Sequence, residues 1–236
     1  MTLKAKQEIE ESEVIVGYKT YVKLIRTTIP NDVDIIETGM RQEVERAEIA
    51  ITKALEGKRV VTVSGGDPGI YGMAGLIIKV AELRKADIDI EVVPGITAAV
   101  AAAAVLGAPI MGDFAIISLS DILTPWNLIE ERLTAATKAD FVIIVYNPKS
   151  QKRRTQLIKA HKILLRYRSP KTIVGIVRQA KREQEIAIMT TLEKMLDYEV
   201  DMATTIIVGN STTRVLNGRM VTSRGYAIEV DNLHPI

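Results

Sequence analysis

Apolar residues fall in two rhythms along this chain, short β-branched runs and longer stretches at helical spacing, and the two alternate. Residues 2–11 read as a short helix, followed by the strand Val14-Ile15-Val16 that stops at Gly17. Residues 33–36 form a short extended segment. A helix over 41–56 places Val44, Ala47, Ile51, Ala54 and Leu55 on its apolar face, and Gly57 suits its C′ position. Next comes the stretch that organises the chain, residues 59–94. The buried run Val60-Val61-Thr62-Val63 ends in Ser64-Gly65-Gly66-Asp67-Pro68-Gly69-Ile70-Tyr71-Gly72 and enters a helix carrying Met73, Leu76, Ile77, Val80 and Leu83. A further strand is expected over 89–93. Pro94-Gly95-Ile96-Thr97 then turns into an alanine-rich helix over 98–106.

Gly107, Pro109 and Gly112 make the candidate linker, which divides the chain into domains 1–110 and 111–236. Beyond it the rhythm resumes, with strands over 114–119, 141–146 and 172–177 and helices over 125–138 and 155–167. Pro125 suits a first helical turn. A strand over 185–190 runs into a short helix, 192–198. The run 204–208 stops at Gly209-Asn210-Ser211, and 220–228 reads as a final edge hairpin. Strands alternating with helices predict an α/β protein of two layered domains. The chain opens on a helix, whereas a doubly wound fold opens on a strand.

Composition narrows the function. With 236 residues, 47% hydrophobic and 25% charged, the chain has ordinary globular values. Aromatics at 4% and a formal charge of +2 count against a base-stacking or polyanion-binding surface, so no nucleic-acid partner is expected. Zero cysteines exclude disulfides and thiolate metal sites and fit a reducing cytoplasm. With His161 and His234 as its only histidines, the chain is not expected to build an imidazole metal centre. The charged N-terminus is no signal peptide, and the longest weakly polar run is mostly alanine, so no membrane partner is expected.

Candidate chemistry sits where strands end. Glycines at a strand's carboxyl end admit a ligand to the backbone. Asp67 in such a loop either closes an Asx-turn or meets ligand hydroxyls or a cationic ligand. Ser118, Ser120 and Asp121, then Tyr146-Asn147-Pro148, then Gly209-Asn210-Ser211 follow other strands. If those strands are parallel, the endings gather at one edge and line a cleft. The basic residues Lys149, Lys152, Arg153, Arg154, Arg178, Lys181 and Arg182 are either solvated or hold a carboxylate-rich substrate. His161 and Trp126 read as packing residues. No Walker loop, dinucleotide fingerprint or Ser-His-Asp order is present.

Gly65-Gly66-Asp67-Pro68-Gly69-Ile70-Tyr71 followed by Val93-Pro94-Gly95-Ile96-Thr97-Ala98 resembles the tetrapyrrole methylase family. Ile117 to Trp126, Tyr146 to Ser150, and Ile206 to Ser211 support the likeness across essentially the whole chain. Within the family it is most similar to the branch that methylates C-17 of precorrin-3B or cobalt-precorrin-3 and contracts the ring, a step of cobalamin biosynthesis. The alternatives are a C-11 or C-20 corrin methylase, a uroporphyrinogen methylase, or a non-catalytic nucleotide- or nucleic-acid-binding module.

The resemblance implies a two-domain α/β fold with a mostly parallel N-terminal sheet and a mixed C-terminal sheet. It implies a cytoplasmic homodimer with S-adenosylmethionine held between the domains, and a corrin-precursor substrate with or without cobalt. By motif matching, Gly65, Gly66, Asp67, Ile70, Thr97, Ala98, Asn147 and Ala180 are the cofactor-binding candidates. Asn147 and Ala180 differ in side chain from some relatives. Ser118, Ser120 and Asp121 are candidates for the proton transfers of contraction, and Lys149, Arg153 and Arg178 for the substrate's acetate and propionate groups. No metal site is implied. The family opens on a strand with a glycine- and proline-rich loop that nothing in this sequence matches, so the first strand is expected to be absent.

Overall fold

The computed structural model describes residues 1–150 and 153–225. The chain divides into two compact units, Met1–Thr97 and Ala98–Ile236.

In the first unit, helix α1 (Leu3–Glu10) starts at Thr2, whose hydroxyl accepts a hydrogen bond from the Ala5 N–H. Strand β1 (Val14–Tyr18), helix α2 (Lys19–Ile25), strand β2 (Asp34–Thr38), helix α3 (Glu43–Leu55), strand β3 (Val60–Val63) and helix α4 (Ala74–Leu83) follow. The sheet has the order β2-β1-β3 and is parallel throughout. Successive side chains of β1 point to opposite faces. Ile15 packs with Val22, Ile29 and Val63, while Val14 and Val16 pack on Ala50 of α3. Both faces are thereby covered, as a parallel sheet requires.

Three elements of this unit depart from the sequence pattern. Helix α2 was not marked, because Lys19-Thr20-Tyr21-Val22-Lys23 carries no helical period; it is held by Val22, which packs tightly against Gly17. Helix α3 is rotated from its expected face. Val44 and Leu55 are exposed, and Ala47, Ala50, Ile51 and Arg46 are buried. The small alanines let the helix approach the sheet, and Arg46 finds hydrogen-bond acceptors at the end of β2. Residues 89–93 join no ladder among the described residues. Ile88 and Ile90 instead pack against the cluster of Met73, Val80 and Ala81.

The second unit begins at helix α5 (Ala98–Leu106) and strand β4 (Gly107–Ala108). Gly107 and Ala108 pair with Met220 and Val221, so the stretch read as a linker lies within this unit. Strand β5 (Phe114–Ser118), helix α6 (Trp126–Lys138), strand β6 (Val142–Tyr146), helix α7 (Gln156–Leu165), strand β7 (Ile173–Arg178) and strand β8 (Ile186–Thr191) follow. A 3₁₀ segment (Leu192–Asp197) leads to strand β9 (Thr204–Val208) and the hairpin β10 (Thr213–Leu216) and β11 (Arg219–Thr222). The main sheet has the order β5-β6-β9-β7-β8. Its buried strands alternate cleanly. Ile143, Val145, Val174, Ile176, Ile206 and Val208 face α6, α7 and the 3₁₀ segment. Val142, Ile144, Val177 and Ile207 face α5 and Met220.

Strand β9 runs antiparallel to both β6 and β7. Its Gly209-Asn210-Ser211 ending therefore lies at the edge opposite Ser118 and Tyr146, and does not join the other endings. There the Ser211 hydroxyl donates to Asp140, which also takes the Arg168 guanidinium. The expected hairpin is also displaced. Its turn is Asn217-Gly218, with φ of 49° and 72°, the left-handed pair that an Asn-Gly hairpin turn uses. Residues 226–228, Lys152 and His234 lie outside the described residues. Among the described residues, no helix is long and apolar enough to cross a membrane.

The close approach of α5 to β7 yields a test. A Cβ on Gly175 would overlap the buried Leu106 side chain. Gly175→Ala is expected to cost about 1–3 kcal/mol of stability by overpacking. Urea denaturation of Gly175→Ala, Leu106→Ala and the double variant should show favourable coupling between the two positions.

Candidate active site

The glycine turn of the first unit is built from hydrogen bonds of its own. The Ser64 hydroxyl accepts from the Met73 N–H at 3.2 Å, and the Pro68 carbonyl from the Ala74 N–H at 3.0 Å. Gly66, with φ of 80°, and Tyr71, at 53°, take left-handed conformations. Asp67 uses both carboxylate oxygens on backbone. Oδ1 accepts from Gly69 N–H at 2.8 Å, closing the Asx-turn, and Oδ2 accepts from Gly95 N–H at 2.9 Å. A Cβ on Gly95 would overlap the Gly66 carbonyl oxygen, so only glycine fits there. The Gly-Gly-Asp bend and the Pro-Gly-Ile-Thr bend thus lie against each other. Gly66 and Gly69 are exposed, Ile70 is half-buried, and Thr97 is buried two residues past the contact.

In the second unit, the ends of β5 and β6 lie side by side, Ser118 paired with Tyr146. The Tyr146 hydroxyl accepts from the Ala99 N–H at 2.6 Å, which fixes the first turn of α5 and Ala98 beside the end of β6. Asn147, left-handed at φ 51°, donates through Nδ2 to the Ser118 hydroxyl at 2.9 Å; the Ser120 N–H reaches the same oxygen at 3.2 Å. The Ser120 hydroxyl in turn accepts from Arg153 Nη1 at 2.7 Å. Arg153 is 7% exposed, reaches Met202 Sδ at 3.2 Å, and its buried Nε has no hydrogen-bond partner. Asp121 is exposed and accepts from Gln156 Nε2 at 2.8 Å.

Strand β7 ends at the same edge, because it and β6 both oppose β9. Ala180 packs on the α5 cluster, between Gln179 and Lys181, both left-handed at 51° and 58°. Arg178 is engaged through one nitrogen: its Nε donates to Asp201 at 2.7 Å. Lys149 is exposed. Burial pushes the Asp201 carboxyl up, but hydrogen bonds from Thr204, Arg178 and the Ala203 N–H outweigh it and hold the group below the usual carboxylate range.

Other groups at these edges carry no mark in the sequence. Tyr18 and Tyr21 lie at the end of β1, with Tyr21 against Gly65. Arg46 lies on the buried face of α3, off the face that reads as apolar. The cap that Tyr146 provides spans 47 positions. Tyr146 was marked only as part of a polar strand ending, and an aromatic residue directly at a strand's end is the signal that could have found Tyr18.

Each unit by itself is α/β and carries turns or polar groups at the carboxyl ends of its parallel strands, the edge at which that architecture binds ligands. The family model described as Tetrapyrrole (Corrin/Porphyrin) Methylases matches residues 1–196, and the chain belongs to that family. It is 49% identical over 230 residues to the cobalt-factor III methyltransferase of Priestia megaterium, covering 96% of this chain and 42% of that relative. To the "probable cobalt-factor III C(17)-methyltransferase" of Salmonella typhimurium (strain LT2) it is 47% identical, covering 97% of this chain and 94% of the other. The crystal structure of the methyltransferase CobJ superposes with a TM-score of 0.88 at 35% identity, covering 94% and 93% of the two chains. The Thermus thermophilus uroporphyrin-III C-methyl transferase, solved with S-adenyl homocysteine, shares the fold at a TM-score of 0.67 and 23% identity, over 89% and 90% of the chains.

Two expected outcomes follow from the site. Asp67→Asn keeps one acceptor and turns an amide donor toward a backbone N–H, at a cost of about 1–3 kcal/mol in urea denaturation. Asp201→Asn should be less stable than the parent at neutral pH. Because the folded-state pKa is lowered, that difference is present above the ordinary carboxylate range and closes as pH falls through the lowered value. Thermal midpoints of both proteins measured between neutral and acidic pH check the sign.

Proposed function

We propose that this chain transfers a methyl group from S-adenosylmethionine to C-17 of a cobalt-bearing corrin precursor and contracts the macrocycle, a step in cobalamin biosynthesis. The observation that carries the reading is the contact of Gly66 and Asp67 with Gly95, which joins the two family motifs into one surface of the first unit. Likeness to relatives named for cobalt-factor III, at 49% and 47% identity, favours the cobalt-bearing substrate over the metal-free one. The same reading has the enzyme working in the cytoplasm as a homodimer.

The residues present fit the donor. Exposed Gly66 and Gly69 leave backbone polar groups open beside the turn, and half-buried Ile70 adds apolar surface there, while Ala98 and Ala180 of the second unit are assigned to the donor by motif matching alone. Thr97 and Asn147 supply polar groups. Bound S-adenosylmethionine supplies an electrophilic methyl group on a sulfonium. Attack by a ring carbon is an in-line displacement that needs no protein nucleophile, so the chain's contribution is alignment and exclusion of water. Asp67 serves the alignment by holding the turn, its oxygens already committed to Gly69 and Gly95.

Contraction of the ring needs proton transfers, which this reading assigns to Ser118, Ser120 and Asp121. Ser120 suits donation: the cationic Arg153 occupies a lone pair of its hydroxyl, which leaves the O–H for a substrate oxygen and makes it a poor base. Exposed Asp121 suits acceptance. Of the three basic candidates for the substrate's carboxylates, Arg153 is the buried guanidinium with an unpartnered Nε. Arg178 is engaged by Asp201, and Lys149 is a solvated point charge.

The test is titration calorimetry with S-adenosylhomocysteine, followed by turnover of cobalt-factor III and of precorrin-3B with S-adenosylmethionine. The expected product carries one added methyl, placed at C-17 by NMR, on a contracted ring. A methyl at C-11 or C-20 would move the chain to another branch of the family, and absence of donor binding would sink the assignment. Ser120→Ala is expected to slow contraction at least about a hundredfold, the lower end of the usual scale for a lost proton-transfer group, with donor affinity unchanged.

A further inference from the structure

The hydrogen bonds that close the glycine turn fall on Ser64, Asp67, Pro68 and Met73. Gly65 is held by packing. The ring of Tyr21, from the start of α2, lies so close that a Cβ on Gly65 would stand 2.7 Å from its Cζ and 2.8 Å from its Cε1. That ring is itself held. Tyr18 meets it edge-on, centroids 5.4 Å apart at 89°, and the Arg46 guanidinium lies 5.9 Å from the Tyr18 ring.

Arg46 is 4% exposed, and its hydrogen bonds go to neutral groups. Nε donates to the Thr38 hydroxyl at 2.6 Å, Nη2 to the Gly39 carbonyl at 3.0 Å and Nη1 to Met73 Sδ at 3.5 Å. Met73 is the residue at which the glycine turn enters α4. One chain of contacts therefore grips the turn at both ends, through Tyr21 at Gly65 and through Arg46 at Met73. In a chain with 4% aromatics, two of the rings form an edge-on pair beside this glycine. Tyr21 remains 36% exposed, so its ring contributes less to the core than a buried aromatic does and more to the surface beside Gly65.

We propose that Tyr21 is a positioning residue for methyl transfer: its ring, backed by Tyr18 and Arg46, fixes the Gly65 and Gly66 peptides in the form that receives the donor. This rests on the reading that the turn holds S-adenosylmethionine. A segment with glycines at 65, 66, 69 and 72 loses much conformational freedom on ordering, and a wall of fixed aromatic surface reduces what binding must supply. The effect belongs to donor binding and leaves the corrin substrate alone.

Calorimetric titration of S-adenosylhomocysteine into the parent protein, Tyr21→Phe and Tyr21→Ala tests it, with thermal midpoints recorded for each. Tyr21→Phe should match the parent. Tyr21→Ala should bind at least about tenfold more weakly, and in turnover should raise KM for S-adenosylmethionine while kcat and KM for the corrin stay within about twofold. Gly65→Ala should also weaken binding, and Gly65→Ala with Tyr21→Ala should recover part of the loss, because the added methyl occupies space the ring vacates. Tight binding to Tyr21→Ala overturns the proposal and leaves the assigned function standing. Equal weakening in Tyr21→Phe overturns it too, since the hydroxyl would then carry the effect. No binding to the parent overturns the functional reading itself. If Tyr21→Ala does not fold, Tyr21→Leu, which keeps apolar bulk without a flat ring, carries the same comparison.

Discussion

The contact between Asp67 and Gly95 is the constraint on which the first unit's site depends. A carboxylate that accepts two backbone N–H groups, one from its own turn and one 28 residues away, fixes both bends at once. Such charge-assisted bonds are stronger than neutral ones, and the partners here are main chain, whose positions are set by the fold rather than by rotamers. Glycine at 95 is the steric half of the same constraint, because the Gly66 carbonyl occupies the space a side chain would need. The acid in this motif is therefore spent on architecture. A ligand at the turn meets peptide groups and small apolar surface, not a free carboxylate. That suits a cationic sulfonium donor, whose reactivity a close anion would lower by stabilising its ground state.

The second unit solves the same problem with sheet topology. Strands β5, β6 and β7 run one way and β9 the other, so three carboxyl ends share an edge. The left-handed residues Asn147, Gln179 and Lys181 all occur where those strands stop. Non-glycine residues with positive φ are uncommon, and they gather where chain direction must change abruptly beside functional groups. Tyr146 then ties the edge to the first turn of α5 by giving its hydroxyl to an N–H that the helix itself leaves unsatisfied.

Much of this was legible in the sequence for physical reasons. The alternating runs of β6, β7 and β9 follow from burial on both faces, and α5 and α6 stop and start at glycine and proline. The Gly-Gly-Asp and Pro-Gly-Ile-Thr bends announced themselves because backbone that approaches backbone excludes side chains. What was hidden depends on tertiary partners. Helix α2 has no period of its own and forms because Val22 finds Gly17. Residues 89–93 have strand composition but no neighbouring ladder among the described residues. The direction of β9 is not encoded in its own apolar run, which reads the same either way, so its polar ending was assigned to the wrong edge. Arg46 is invisible to any hydrophobic pattern, since its burial is made tolerable by acceptors on β2 and the loop after it.

The chemistry explains why no familiar catalytic motif marks the chain. Methyl transfer to a ring carbon asks for a held donor, a held acceptor and little water, and none of these needs a cysteine, a metal cluster or a histidine relay. Proton movement in the proposed ring contraction asks for more, and the groups at the β5 edge differ in what they can give. Ser118 accepts from Asn147 and from the Ser120 N–H. The Ser120 hydroxyl accepts from the cationic Arg153. A base must come from a carboxylate, and Asp121, bonded to the neutral Gln156 amide, keeps its negative charge uncompensated by any cation in that contact. On the proposed reading, Ser120 and Asp121 are told apart by their neighbours, a cation beside the one and a neutral amide beside the other.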